Sequence, residues 1–176
     1  MAGPAPILRD GLLDGVAVLA APRTTATDAC AALGARVEAL EADLLDEAAT
    51  TAAAEGSEAT VLVVDAAPLF GPGGPAALRA ALDATWSAIH AHFDAARTAK
   101  IVLLAPPPGA GAHAGALRAG LENLARTLSI EWSRHRVGVV AILPGDATAP
   151  GDVGQLVAYL ASPAGDYFSG CALTLA

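Results

Sequence analysis

Cysteine is scarce: two in 176 residues, Cys30 and Cys171, far apart. There is no Cys-x-x-Cys pair and no cysteine–histidine cluster, which excludes a zinc-finger or dithiol motif. The two read as reduced, buried thiols, since free cysteine behaves as a small hydrophobe. Basic residues are also few, 10 against 18 acidic, for a net charge of −8. Nucleic acid and anionic membranes both need a basic face, so neither is expected as a partner. No apolar run reaches the roughly 18 residues of a membrane span. The opening Met1-Ala-Gly-Pro-Ala-Pro lacks the basic residues and apolar core of a signal peptide, so a cytoplasmic location is expected. With 54% hydrophobic and 16% charged residues the chain is no disordered segment, and its length suits a single domain with one substantial core.

What is present alternates. Residues 1–14 read as a leader and 15–176 as the domain. Short apolar runs at 15–21, 35–40, 60–64, 101–105, 137–143 and 171–175 read as buried strands, that at 60–64 being all β-branched or leucine. Helical stretches lie between them. Thr25 with Asp28 suggests a capping box for a helix ending at Gly34. Residues 46–55 are alanine-rich and stop at Gly56, and Pro75 is placed to open a helix reaching about Thr98. Further helices are expected over 113–134 and 152–160. Two apolar runs flanking a helix of about twenty residues make a βαβ unit, and the whole pattern predicts an α/β fold, a trimmed Rossmann-like doubly wound parallel sheet in a single domain.

The helix over 75–98 carries two apolar faces. Leu78, Leu82, Trp86, Ile89 and Phe93 form a bulky stripe, and Ala77, Ala81, Ala84, Ala88, Ala91 and Ala95 a small-residue ridge beside it. A helix on a sheet needs one apolar stripe, so one face is left for a partner. Spacing does not decide which.

The stretch Arg118-Ala-Gly-Leu-Glu-Asn-Leu-Ala-Arg-Thr-Leu-Ser-Ile-Glu-Trp132, followed by Val139-Val-Ala-Ile-Leu-Pro-Gly145, resembles the core of the short-chain dehydrogenase/reductase family. Leu13-Asp-Gly-Val-Ala-Val, Gly34-Ala-Arg-Val, Ala42-Asp-Leu-Leu-Asp-Glu47, Leu160-Ala-Ser-Pro and Tyr167-Phe-Ser-Gly170 are similar to other family segments in the same order. The residues that would perform that family's chemistry are absent. Its nucleotide loop, Gly-x-x-x-Gly-x-Gly, lets backbone amides approach a pyrophosphate. Here residues 16–33 contain no glycine, Ala21 stands at the first glycine position, and Pro22 follows. Placing Arg118 on the lysine of the catalytic Tyr-x-x-x-Lys puts Ala114 on the tyrosine, and a methyl group cannot replace a phenol as proton donor. The serine position falls on Ala105 or Pro106, the Asn-Asn-Ala-Gly segment becomes Val64-Asp-Ala-Ala67, and the helical asparagine falls near Thr85. The connection from Val37 to Val61 is short by one βα unit, and the substrate lid after Gly145 is cut to a few residues.

The remaining candidates read blandly. Gly109-Ala-Gly-Ala-His-Ala114 fits Gly-x-Gly-x-x-Ala, but three prolines precede it and it reads as a flexible loop. His113 lies beside the lost tyrosine with nothing to assist, and His90 and His92 sit on different helix faces, which disfavours metal binding. Arg118 reads as a surface or interface cation.

The resemblance implies pairing through the two long helices, as a four-helix bundle with a neighbour, plus a second contact at the last helix and strand. Interface positions expected on this basis are Ala81, Ala84, Trp86, Ala88, Ile89, Leu124, Leu128, Trp132, Tyr167 and Phe168. The expected function is a non-catalytic subunit, with no cofactor and no metal, supporting an active family member. The alternatives are an oxidoreductase with an altered site and a structural or ligand-binding homodimer.

Overall fold

The computed structural model describes residues 7–95 and 100–176. The expected course of the long helix beyond Ala95 to Thr98, and the first six residues of the leader, lie outside the described residues.

In chain order the elements are β1 (Ala17–Ala21), α1 (Thr25–Ala32), β2 (Arg36–Ala39), α2 (Glu47–Glu55), β3 (Val61–Asp65) and α3 (Ala66–Phe70). Then come α4 (Pro75–Asp94), β4 (Lys100–Leu104), α5 (Ala114–Glu131), β5 (Gly138–Leu143), α6 (Pro150–Ala161) and β6 (Cys171–Thr174). The six strands form one parallel sheet in the order β2-β1-β3-β4-β5-β6. The order reverses between β1 and β3, and in open α/β sheets ligands bind at such a switch point, beyond the carboxyl ends of the strands. Between β1 and β3 the chain makes the single strand β2, which becomes the sheet's edge.

Alternation along each strand divides the core in two. Leu19, Leu62, Val64, Ile101, Leu103, Val139 and Ala141 meet α2, α4 and α5. Val18, Val61, Val63, Val102, Val140 and Ile142 meet α1 and α6 on the opposite face. Strands buried on both faces read as continuous apolar runs, which is why the sequence pattern located them.

Local chemistry sets the helix ends. Asp46 caps α2 by accepting from the Ala48 and Ala49 amides at 3.0 Å. Pro75 is the first residue of α4. The capping residue of α1 is Thr24, one earlier than the expected Thr25. The Thr27 hydroxyl accepts from the Thr24 amide at 2.9 Å, and Asp28 instead pairs with Arg23 at 2.8 Å. The short helix α3 falls in a stretch that sequence spacing left unassigned. Asp65 opens it by accepting from the Ala67 amide at 3.1 Å, and Gly71, at φ +53°, closes it. Helix α5 ends at Glu131 rather than near Arg134; residues Ser133–His135 form a separate 3₁₀ turn closed by left-handed Arg136.

Helix α4 settles which ridge meets the sheet. Ala81 and Ala88 are 0% exposed, Ala91 2% and Ala84 4%, so the small ridge turns inward, and Ile89 of the bulky stripe, also 0% exposed, goes in with it. Leu82 and Phe93 spread sideways. Leu82 lies so close to α5 that a Cβ on Gly120 would stand 3.0 Å from its methyl carbon. Phe93 stacks on Trp132 with ring centroids 3.9 Å apart. Small residues let helix and sheet approach closely, and the larger neighbours fill the flanks.

Candidate functional site

The carboxyl ends of β1, β3, β4 and β5 open onto a crevice of 230 Å³. Each strand delivers a different loop. After β1 comes Pro22, on a cis bond, then Arg23 and Thr24. At the end of β3 stands Asp65, only 6% exposed. Ala105 and Pro107 follow β4, and Pro144, Gly145 and Asp146 follow β5. Thr148, Pro150 and Val153 close the far side.

The polar atoms of this rim are largely spent on holding it. Arg118 reaches across from α5, and its Nη1 donates to the carbonyls of Pro106 and Pro144, both at 2.7 Å. Burial lowers its pKa, against the raising effect of Asp146. The expectation of a surface or interface cation is therefore corrected: Arg118 ties together the loops that follow β4 and β5. The Asp146 carboxylate accepts from the Gly109 amide at 2.7 Å. The Thr148 hydroxyl accepts from the Gly145 amide and donates to the Ala176 carbonyl, each at 2.8 Å. Asp65 is the exception. Burial pushes its carboxyl above the ordinary value, against the lowering effects of the Thr24 hydroxyl and the Ala67 amide. The Thr24 hydroxyl adjoins it, yet makes no hydrogen bond of good geometry.

The positions that the resemblance gives to the tyrosine and the serine are apolar and closed. Ala114 is 1% exposed and Ala105 is 1% exposed. Thr85 is fully buried and donates its hydroxyl to the Ala81 carbonyl of its own helix at 2.7 Å. His113 precedes α5 in the left-handed region at φ 72° and is exposed.

The same place does not fit a dinucleotide. Pyrophosphate needs open backbone amides at a helix N-terminus. Here Ala21 is 0% exposed with a proline next to it. The first turn of α1 carries the Asp28 carboxylate, and the crevice below carries Asp65. Two carboxylates oppose a phosphate's charge.

Of the expected interface positions, Ala81, Ala84, Ala88, Ile89 and Leu128 are buried inside the subunit. Their surface is consumed by the sheet and by neighbouring helices, so a second chain has no access to them. Leu124 and Trp132 are half-buried on α5 and just beyond it, and Phe168 is half-buried with its ring edge-on to Tyr159. Trp86 is 40% exposed and Tyr167 92% exposed. Three exposed large apolar residues were missed: Ile7 at 91%, Leu45 at 59% and Ile130 at 74%. Ile130 could have been found, since it lies off the Leu117–Leu121–Ala125–Leu128 stripe that α5 turns inward. Beside Trp86 a groove of 530 Å³ runs between α2 and α4, lined by Glu47, Glu55, His90 and Asp94 among others. Cys30 is buried, its thiol pushed up to about 12 by desolvation, and Cys171 is half-buried; both are free. Among the described residues there is no group of three metal-ligating side chains and no helix long and apolar enough to cross a membrane.

Similarity to solved structures places the fold. A citronellol catabolism dehydrogenase of Pseudomonas aeruginosa matches at a TM-score of 0.72 and 20% identity, covering 96% of each chain. A Serratia marcescens short-chain dehydrogenase/reductase double mutant matches at 0.74 and 20%, covering 93% of this chain and 97% of that one. A 3-oxoacyl-[acyl-carrier protein] reductase of Brucella melitensis matches at 0.74 and 16%, covering 99% and 95%. The architecture is thus that of a short-chain dehydrogenase/reductase, an α/β Rossmann-like single sheet. No family model matches the sequence, and no curated protein matches it.

Proposed function

We propose that this chain is a non-catalytic subunit with a short-chain dehydrogenase/reductase fold that assembles with an active enzyme of that fold. The observation that carries this reading is Ala114, 1% exposed at the head of α5. It takes the place that the resemblance gives to the proton donor. Ala105 and Pro106 occupy the serine position, and the Thr85 hydroxyl is bonded to its own helix. The glycine-free loop after β1 removes the hydride carrier's pyrophosphate site as well. Catalytic groups act as a unit, so losing donor, serine and loop together leaves no partial activity of note. A partner is supported by the large apolar side chains left in water, Trp86 on α4, Ile130 on α5 and Tyr167 before β6, two of them aromatics of the kind enriched at interfaces.

Calorimetry with NADH and with NADPH tests the first half. No binding is expected, and a dissociation constant below roughly 100 µM, about −5.5 kcal/mol, would overturn it. Native mass spectrometry of the protein purified from its own host tests the second half. The expected mass is that of a complex with a chain carrying an intact Tyr-x-x-x-Lys; only self-assembled species would refute the partner.

A further inference from the structure

We propose that the crevice beyond β1, β3, β4 and β5 binds a small monocationic amine with a compact apolar body, its ammonium seated on Asp65. This goes beyond the subunit reading and does not depend on it.

Size comes first. The cavity of 230 Å³ holds roughly eight water volumes and falls below the ~300 Å³ at which drug-sized pockets begin. The walls come next. Ala26, Leu104, Ala105, Pro144 and Val153 present carbon to the cavity, which favours an apolar body. Charge decides the head group. The Asp65 carboxyl is 6% exposed, and its Oδ1 accepts one amide hydrogen, from Ala67 at 3.1 Å. Among the described residues no basic side chain pairs with it. Arg118, on the rim, is committed to two carbonyls and faces Asp146, and Arg23, beside Thr24, pairs with Asp28. A buried carboxylate with one backbone amide and the Thr24 hydroxyl beside it is still poorly solvated: burial raises its pKa more than those two neighbours lower it. An ammonium supplies both the countercharge and the missing donors through a charge-assisted bond. An anionic ligand would meet Asp65 and Asp146 together, and a neutral one would leave Asp65 unpaired.

The test uses three probes of one shape and different charge: benzylamine, benzyl alcohol and benzoate, titrated by calorimetry near neutral pH. Benzylamine is expected to bind about tenfold or more tighter than either of the others. In Asp65→Asn, with its fold checked by circular dichroism, that preference should shrink to about twofold or less. Thr25→Trp, an exposed position on the crevice mouth, should abolish binding of all three probes. Failure of benzylamine to bind the wild-type chain would overturn the proposal. So would benzoate binding as tightly as the amine, or Asp65→Asn keeping the preference. If Asp65→Asn does not fold, Thr25→Trp decides, and unchanged benzylamine binding in that variant refutes the site.

Discussion

Ala88→Arg separates the inside of α4 from its outside. Ala88 is 0% exposed, in the middle of the helix and against the sheet. An arginine there must either bury a guanidinium without a partner or push the helix off the strands. A buried unpaired ion costs several kcal/mol even after relaxation, and the added volume costs about 1–3 kcal/mol more. The sum, about 5 kcal/mol or above, is comparable with the whole stability of a domain, about 5–15 kcal/mol. At about 2–4 °C per kcal/mol for a chain of this size, the melting temperature should fall by roughly 10–20 °C, or the variant should not fold. Trp86→Arg, two residues away, is the control. Trp86 is 40% exposed, so its replacement should leave the melt within a few degrees and change only the assembly seen by sedimentation. The measurement is a circular dichroism melt of both variants beside a sedimentation run. If Ala88→Arg melts with the wild-type chain while Trp86→Arg unfolds, the orientation of α4 is wrong, and with it the burial of Ala81, Ala84 and Ile89.

Two further outcomes follow from buried polar groups. His92 is 1% exposed and desolvation pushes its pKa down from 6.5 to about 4. The unfolded chain therefore takes up a proton that the fold refuses, and stability should be lost as pH falls from 6.5 towards 4, by about 3 kcal/mol in total. Urea midpoints across that window should move less in His92→Leu than in the wild type, and equal movement would refute the assignment. Asp65 has the opposite sign, because its carboxyl pKa is raised: lowering pH relieves its burial, so it does not account for an acid loss. Arg118→Met removes two 2.7 Å charge-assisted bonds to Pro106 and Pro144 and should cost about 2 kcal/mol, read as a lower urea midpoint; an unchanged midpoint would mean that water replaces the guanidinium fully.

The strands were legible because burial on both faces makes them short continuous runs of Val, Ile and Leu, bounded by Gly and Pro. Pro75 was legible as the start of α4 because its fixed φ is a local dihedral; the Asp46 cap of α2 is equally local but was read only as the start of the alanine-rich helix. Helix α4 was not, since two apolar ridges of different bulk satisfy the same 3.6-residue period. Bulk alone points the larger ridge inward. Close packing on the sheet chose the alanines, and Leu78, Leu82 and Phe93 found their partners on α5 and Trp132. Arg118 was misread for a related reason. Its partners are carbonyls 12 and 26 positions away, and no spacing within one helix reveals a bond to the loops of two other elements. The crevice was invisible for the same cause, since its lining comes from four separate stretches of chain.

The rim of the crevice is held by bonds that serve the fold. A parallel sheet ends in loops whose carbonyls need donors, whatever the protein does. Here the loops after β4 and β5 share one donor, Arg118, and the loop after β5 is fixed again through Thr148 and through Asp146 on Gly109. Where the resemblance would place a phenol and a hydroxyl the chain has Ala114 and Ala105-Pro106, and the frame is held without them; its carboxylates are Asp65 and Asp146. The two carboxylates differ in their countercharge: Asp146 faces Arg118 and holds the Gly109 amide, whereas Asp65, nearly buried, has no basic partner among the described residues.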